Sequence, residues 1–114
     1  MDIEIIEIYL IEYLSRKLNV NAYGQVDDAS EDTYVVVEKT GSYVENHVRY
    51  ATVAVQSYAD SLLNSAKLNE KVKTAMEEII EMPEIAKCSL NSDYPFTDTT
   101  TKKYRYQAIF DLVF

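Results

Sequence analysis

The sequence has few of the residues that interrupt regular structure, and too little cysteine for a disulfide framework. It contains two glycines, two prolines, one cysteine and no tryptophan in 114 residues. So few glycines argue against a glycine-rich phosphate-binding loop, and the composition contains no low-complexity linker. The single cysteine, Cys88, cannot form an internal disulfide, which favours a reducing cytoplasm over a disulfide-stapled secreted fold.

Long apolar runs and an excess of positive charge are also missing. No stretch approaches the about 20 apolar residues of a membrane span. Acids are scattered through the first 14 residues, unlike a signal peptide. The net charge is −8, from 11 bases and 19 acids. Because nucleic-acid binding depends on basic residues that neutralise phosphates, we expect no specific binding to nucleic acid.

What is present is an ordinary globular composition, 47% hydrophobic and 26% charged, which predicts one domain over residues 1–114. The acids are unevenly distributed: residues 1–57 carry a net charge of −6 and residues 58–114 a net charge of −2. An acidic half beside a nearly neutral half is compatible with oriented self-association but does not require it.

The most informative stretch is a strand that is predicted to pass directly into a long helix. Residues 48–57 are rich in β-branched and small side chains, as in a strand inside a sheet. Ser57 and Asp60 have the spacing of a capping box, and Pro83 should end the helix. One helical face recurs at three- and four-residue steps: Leu62, Ala66, Asn69, Val72, Met76, Ile79 and Ile80.

The remaining elements follow from the same periodicities. A first helix is predicted over 2–18, with Asn19 as a left-handed cap. Residues 20–26 are predicted as a short strand or an extended entry, and further strands at 33–40, 85–92 and 104–114, with a turn over 41–46 and a polar loop over 93–103. The order α-β-β-β-α-β-β predicts an α+β, two-layer fold: a mixed or antiparallel sheet with two helices packed on one face.

Alternation along two strands predicts which side of the sheet is covered. In the last strand, Ala108, Phe110 and Leu112 share the face that should bury against the helices. The strand at 48–57 should form a hairpin with the one before it. Tyr50, Thr52, Ala54 and Gln56 of that strand are polar enough as a set to be half exposed or to face a partner. Ten tyrosines fit such a surface, although they could equally surround the core.

The residues suggest no catalytic, cofactor-binding or metal site, and we expect a protein that is not an enzyme. No cysteine and histidine cluster has zinc spacing. Catalysis by Cys88 would need a base, and the single histidine, His47, lies in a turn before another strand. Binding of a small molecule between the helices and the sheet remains open.

The whole chain resembles the small tail-completion, or tail-terminator, proteins of long-tailed bacteriophages and prophages, the class that includes the lambda-type tail terminator. After the first helix, the resemblance lies in TYVVVEKTG at 33–41 and in the strand–helix stretch at 48–76. It ends in Asp-Tyr-Pro-Phe at 93–96 and Tyr-Arg-Tyr-Gln at 104–107. The chain departs from many relatives in having Tyr58 where the strand–helix junction often has tryptophan.

The resemblance implies a structural role in the virion tail, after assembly in the bacterial cytoplasm. Members form a ring, commonly a hexamer, on the head-proximal end of the finished tail tube. The ring stops further addition of tube subunits and presents the surface that joins the head. The implied partners are other copies of the chain, the major tail tube protein and the head–tail connector protein, with no cofactor and no membrane.

A ring needs two different patches on each subunit that meet head to tail. The charged groups are candidates, with the alternative that both are ordinary solvated loops: acidic Asp27, Asp28, Glu31 and Asp32, and basic Lys102, Lys103 and Arg105. The acidic loop lacks the glycine turn and terminal glutamate of a calcium loop. Other functions left open are a different head–tail connector or adaptor, and a cytoplasmic α/β domain that binds a small ligand.

Overall fold

The computed structural model describes residues 3–24, 31–97 and 103–114. There are two helices, α1 (Ile6–Leu18) and α2 (Leu62–Glu78), and a 3₁₀ turn at Ile79–Glu81 follows α2. The strands are β1 (Asn21–Tyr23), β2 (Tyr34–Glu45), β3 (Val48–Ala59), β4 (Lys87–Pro95) and β5 (Tyr104–Val113). This order confirms the predicted α-β-β-β-α-β-β arrangement and the α+β class.

The five strands form one mixed sheet in the order β1-β2-β3-β5-β4. β1 is parallel to β2, and the other neighbours are antiparallel. The predicted hairpin is correct, but β2 continues to Glu45 instead of ending at residue 40. Its turn is only Asn46 and His47, with φ of 52° and 65°. Two positive φ angles match the twist of a two-residue hairpin, so the strands can remain paired up to the turn.

Both helices pack on one face of the sheet, as predicted. The core joins α1 and α2 to the inward side chains of the three longest paired strands, and its fully buried members include Leu10, Leu14, Val35, Val37, Val53, Val55, Val72, Met76 and Leu112. Asn19 ends α1 with a left-handed φ of 55°, as predicted, whereas α1 begins at Ile6 and not at residue 2.

The predicted start of α2 is wrong. Ser57 lies inside β3, opposite Val35 and Tyr106, and is 0% exposed. The helix is capped four residues later by Ser61, whose Oγ accepts a hydrogen bond from the Asn64 amide at 3.1 Å. The capping signal is local, whereas pairing on both sides of β3 holds the chain extended as far as Ala59.

The predicted boundaries of β4 also need correction, because residues 93–95 belong to this strand and not to the loop. Pro95 is tolerated because β4 is an edge strand, where one side makes no ladder hydrogen bonds. Two residues of α2 bind Asp93: its Oδ2 accepts hydrogen bonds from Asn69 Nδ2 at 2.9 Å and from Lys73 Nζ at 3.0 Å. These contacts with α2 are long-range in sequence, so no local pattern marks the longer strand.

The corrected cap gives a stability prediction. Ser61→Ala should lower the free energy of unfolding by about 1 kcal/mol, because the amide of Asn64 loses its acceptor. Ser57→Ala should not lower it, since the buried Ser57 Oγ has no hydrogen-bond partner among the described residues and such a group costs about 1–3 kcal/mol. Urea unfolding of the two variants beside the parent measures both effects. A larger loss in Ser57→Ala than in Ser61→Ala would contradict this assignment.

Candidate functional site

The sheet face opposite the helices, which we call the open face, carries polar and aromatic side chains. It is formed by alternate residues of β2, β3 and β5, among them Tyr34, Val36, Tyr50, Thr52, Gln56, Tyr58, Arg105, Gln107, Ile109, Asp111 and Val113. Tyr50, Thr52 and Gln56 are half-buried, as expected, whereas Ala54 is only 1% exposed. The small alanine lies beneath its larger neighbours.

Hydrogen bonds between strands order the side chains of the open face. Gln56 Nε2 donates to Gln107 Oε1 at 2.9 Å, and Gln107 Nε2 donates to the Tyr94 hydroxyl at 2.6 Å. Thr52 Oγ1 donates to Asp111 Oδ1 at 2.8 Å. Because these groups are already positioned, a partner that docks here would order few side chains, which lowers the entropic cost of binding.

One end of the open face is an aromatic cluster. The Tyr34 and Tyr58 rings stack with centroids 4.6 Å apart, and the Tyr23 ring meets Tyr34 edge-on at 6.0 Å. Arg105 lies against the same group: its Nη1 donates to the Tyr58 hydroxyl at 2.6 Å, and its guanidinium lies 4.3 Å from the centre of the Phe96 ring. The cation is therefore held by one ring from β3 and one from the segment after β4.

The charged residues singled out from the sequence lie at this end of the sheet where they are described. Glu31 accepts hydrogen bonds from Asn21 Nδ2 at 3.0 Å and from the Tyr23 hydroxyl, and the second bond raises the pKa of Tyr23. Lys103 Nζ lies 3.5 Å from the Tyr34 hydroxyl.

The described acidic and basic groups thus adjoin one aromatic cluster within a subunit. Asp32 is exposed next to Glu31. Asp27, Asp28 and Lys102 lie outside the described residues. A role for either charged group in contacts between subunits stays a prediction.

The opposite end of the sheet is the β2–β3 hairpin. Residues 38–45 are all exposed, and Val44 keeps 67% of its surface in solvent. The Tyr43 and Tyr50 rings stack across the hairpin with centroids 4.5 Å apart. A shallow cleft of about 330 Å³ lies at its base, lined by Tyr43, Tyr50, Lys87 and Asp111 among others. A cleft of this size is at the lower end of the range for small-molecule sites.

The chemistry of Cys88 is that of a packing residue. Cys88 lies on β4, packed against the core, and burial raises the pKa of its thiol to about 11, with a smaller contribution from the Asp111 carboxylate. An activated nucleophile has a lowered pKa, so the shift is in the wrong direction for that role. His47 lies in the hairpin turn. Across residues 3–24, 31–97 and 103–114, no group of three His, Cys, Asp or Glu side chains is placed to hold a metal ion.

Two features of the surface were missed from the sequence. The aromatic cluster draws on Tyr23, Tyr34, Tyr58 and Phe96, which come from four separate segments, so no spacing reveals it. The long outer edge of β2 was missed because the predicted strand ended at residue 40. The two consecutive residues able to adopt a tight turn, Asn46 and His47, were the available signal for the longer hairpin.

Comparison with known proteins does not assign the chain to a family. No protein-family model matches it, and no curated protein matches its sequence. None of the described helices is both long enough and apolar enough to cross a bilayer.

The thiol gives a second prediction. At pH 7.5, alkylation of Cys88 by iodoacetamide should be about 100-fold slower than that of a thiol at its ordinary pKa of 9, because each pKa unit reduces the thiolate tenfold. The rate should rise tenfold per pH unit towards the pKa of about 11. Mass spectrometry measures the rate, with the urea-unfolded chain as control. Equal rates for folded and unfolded chains at neutral pH would contradict the burial of this thiol.

Proposed function

We propose that this chain is a tail-terminator subunit of a long-tailed bacteriophage or prophage. Copies would cap the head-proximal end of the tail tube, stop its polymerisation and form the surface that joins the head. The observation that carries the proposal is the order and spacing of the segments at 33–41, 48–76 and 93–107. The element order and the helix layer on one sheet face support it, since they are the arrangement expected from those segments.

The surfaces of the subunit suit a structural role that needs no cofactor or metal. A terminator acts by occupying the end of a tube and by offering a different surface to the next component. The open face, with its ordered polar ladder, and the exposed hairpin are two distinct surfaces of one subunit. The partners in this proposal are other copies of the chain, the major tail tube protein and the head–tail connector protein.

The direct test is to add the purified protein to polymerising tail-tube subunits from the same genome. Tubes should become shorter and more uniform as the protein is added earlier, because capped ends cannot grow, and electron microscopy measures the length distribution. The same protein unfolded by heat, and an unrelated protein of similar net charge, serve as controls. Tubes whose length and number do not respond would rule out the terminator role.

A passage for DNA gives a further prediction of the same proposal. The genome must move through the ring without sticking, and a net charge of −8 repels phosphate, more strongly at low salt. We expect no measurable binding to duplex DNA in fluorescence anisotropy at physiological salt, and none when the salt is lowered. Tight binding under either condition would contradict a slippery passage.

The cleft at the base of the hairpin favours one alternative, a cytoplasmic α/β domain that binds a small ligand. That function predicts a rise in melting temperature with a metabolite, because a ligand that binds only the folded state stabilises it. A different head–tail connector or adaptor would show no effect on tube growth but would join preassembled heads or tails.

A further inference from the structure

We propose that copies of this chain associate head to tail by pairing strands, with β4 of one copy adding to the outer edge of β2 in the next. Residues 87–94 would run antiparallel to residues 38–45 of the neighbour. The proposal deepens the proposed function, on which it rests for the ring that such contacts would build. The contact itself is argued from the two edges of the sheet.

Both edges have room for another strand. β1 covers β2 only from Tyr34 to Val36, and no other strand of the described residues pairs with that side of β2. Among the described strands, β4 pairs with β5 alone, on one of its two sides. The eight residues 38–45 are all exposed, and residues 87–94 are exposed or half-buried. Such edges present unpaired N–H and C=O groups, which are a template for pairing with another chain.

Strand direction makes the two edges compatible. From β2 to β3, β5 and β4, each strand is antiparallel to the last, so β4 runs opposite to β2. A second copy in the same orientation therefore places its β2 antiparallel to β4, and the sheet continues with all helices on one side. The contact joins two different surfaces, so it propagates into a ring or a filament.

Charge selects the register. Lys87 and Glu45 both point to the open face. Lys87 lies beside Val113, which is on that face. Glu45 is two residues after Tyr43, which pairs with Tyr50 on the same face. Placing Lys87 opposite Glu45 creates a same-face pair of opposite charge. Within the part of the chain that the structure describes, neither residue makes an ion pair.

The same register also pairs opposite charges at the other end of the two segments. It places Lys39 opposite Asp93, whose carboxylate already binds Lys73 at 3.0 Å, and both residues point to the helix side, beside Val53 and Ala108 respectively. Each strand has a β-bulge, in β2 between Lys39 and Gly41 and in β4 between Leu90 and Ser92. The proposed register places these two bulges next to each other. Two bulges placed side by side leave the pairing regular on both flanks.

A symmetric pairing of β4 with β4 is less suitable. The described charges of β4 are Lys87 and Asp93, and they point to opposite faces of the sheet. Residues directly opposite each other in an antiparallel pair share a face, so these two charges cannot neutralise each other there. The observations therefore favour the head-to-tail contact between β4 and β2.

Cross-linking of two differently tagged chains tests the contact. Both carry Cys88→Ala, one adds Ser42→Cys and the other Leu90→Cys, two positions that the register makes directly opposite. Cα atoms of such pairs lie about 4.5–5.5 Å apart, within the range that a disulfide spans. Oxidation at high protein concentration should give mainly the dimer of unlike chains, measured on non-reducing gels.

The matched control replaces Ser42→Cys with Val44→Cys, which shares its face but is displaced by two residues. Its yield with Leu90→Cys should be at least five-fold lower. Equal yields from the two combinations, or no excess of unlike over like dimers, would overturn the proposal.

Charge reversal provides the second arm. Lys87→Glu in the Leu90→Cys chain, or Glu45→Lys in the Ser42→Cys chain, should each lower the yield at least three-fold, and the two together should restore it. Lys71→Glu makes the same change of charge at an exposed position of α2 and should leave the yield unchanged. A loss with Lys71→Glu equal to that with Lys87→Glu, or no restoration by the combined reversal, would overturn the assignment.

The outcomes separate this contact from the proposed function. Tube capping that persists while the unlike disulfide fails to form would retain the terminator role and overturn the strand pairing. A disulfide that forms in the proposed register, in a protein with no effect on tube growth, would support the pairing and remove the terminator role.

Discussion

Pairing of β3 on both of its sides is the constraint on which the rest of the structure depends. β3 is hydrogen-bonded to β2 along its length and to β5 from Tyr50 to Ala59. Its inward side chains Val53 and Val55 are completely buried, and full burial of a valine stabilises a fold by about 1.5–3 kcal/mol. β3 is thus held by β2 on one edge, by β5 on the other and by the core on its inward face. It therefore aligns β2 and β5 and determines where α2 can begin.

The same pairing divides the sheet into two unlike faces. The inward side is apolar and covered by both helices, whereas the open face is polar yet internally satisfied, through pairs such as Thr52 with Asp111 and Gln56 with Gln107. Uncovered polar side chains usually remain mobile, but here neighbouring strands position them. A surface of this kind stays ordered in the isolated subunit and is available to a partner at low entropic cost.

The two edge strands of the sheet carry features that prevent unspecific pairing and that also favour one particular contact. Bulges, charges and a proline are the usual means by which proteins prevent indiscriminate pairing of exposed strands, and β4 carries all three in its register shift, Lys87 and Pro95. β2 carries a bulge and charges of its own. In most registers these bulges and charges oppose pairing. In the proposed register the two bulges lie side by side and Lys87 lies opposite Glu45. Devices that prevent aggregation can therefore also specify a single self-contact.

The sequence by itself determined the order of the elements, the hairpin and the covered side of the last strand, because period-two and period-3.6 patterns reflect which residues leave water. It also indicated the left-handed cap at Asn19. It could not distinguish Ser57 from Ser61 as the cap, since both have suitable local chemistry and only the partners of β3 make one of them part of a strand.

Only the tertiary structure decided the length of β4, the aromatic cluster and the position of Glu31 and Lys103 at the same end of the sheet. The physical reason is common to all three. Each depends on contacts between segments distant in the chain, such as Asp93 with Lys73 or Tyr34 with Tyr58, and the energies of those contacts leave no period in the sequence.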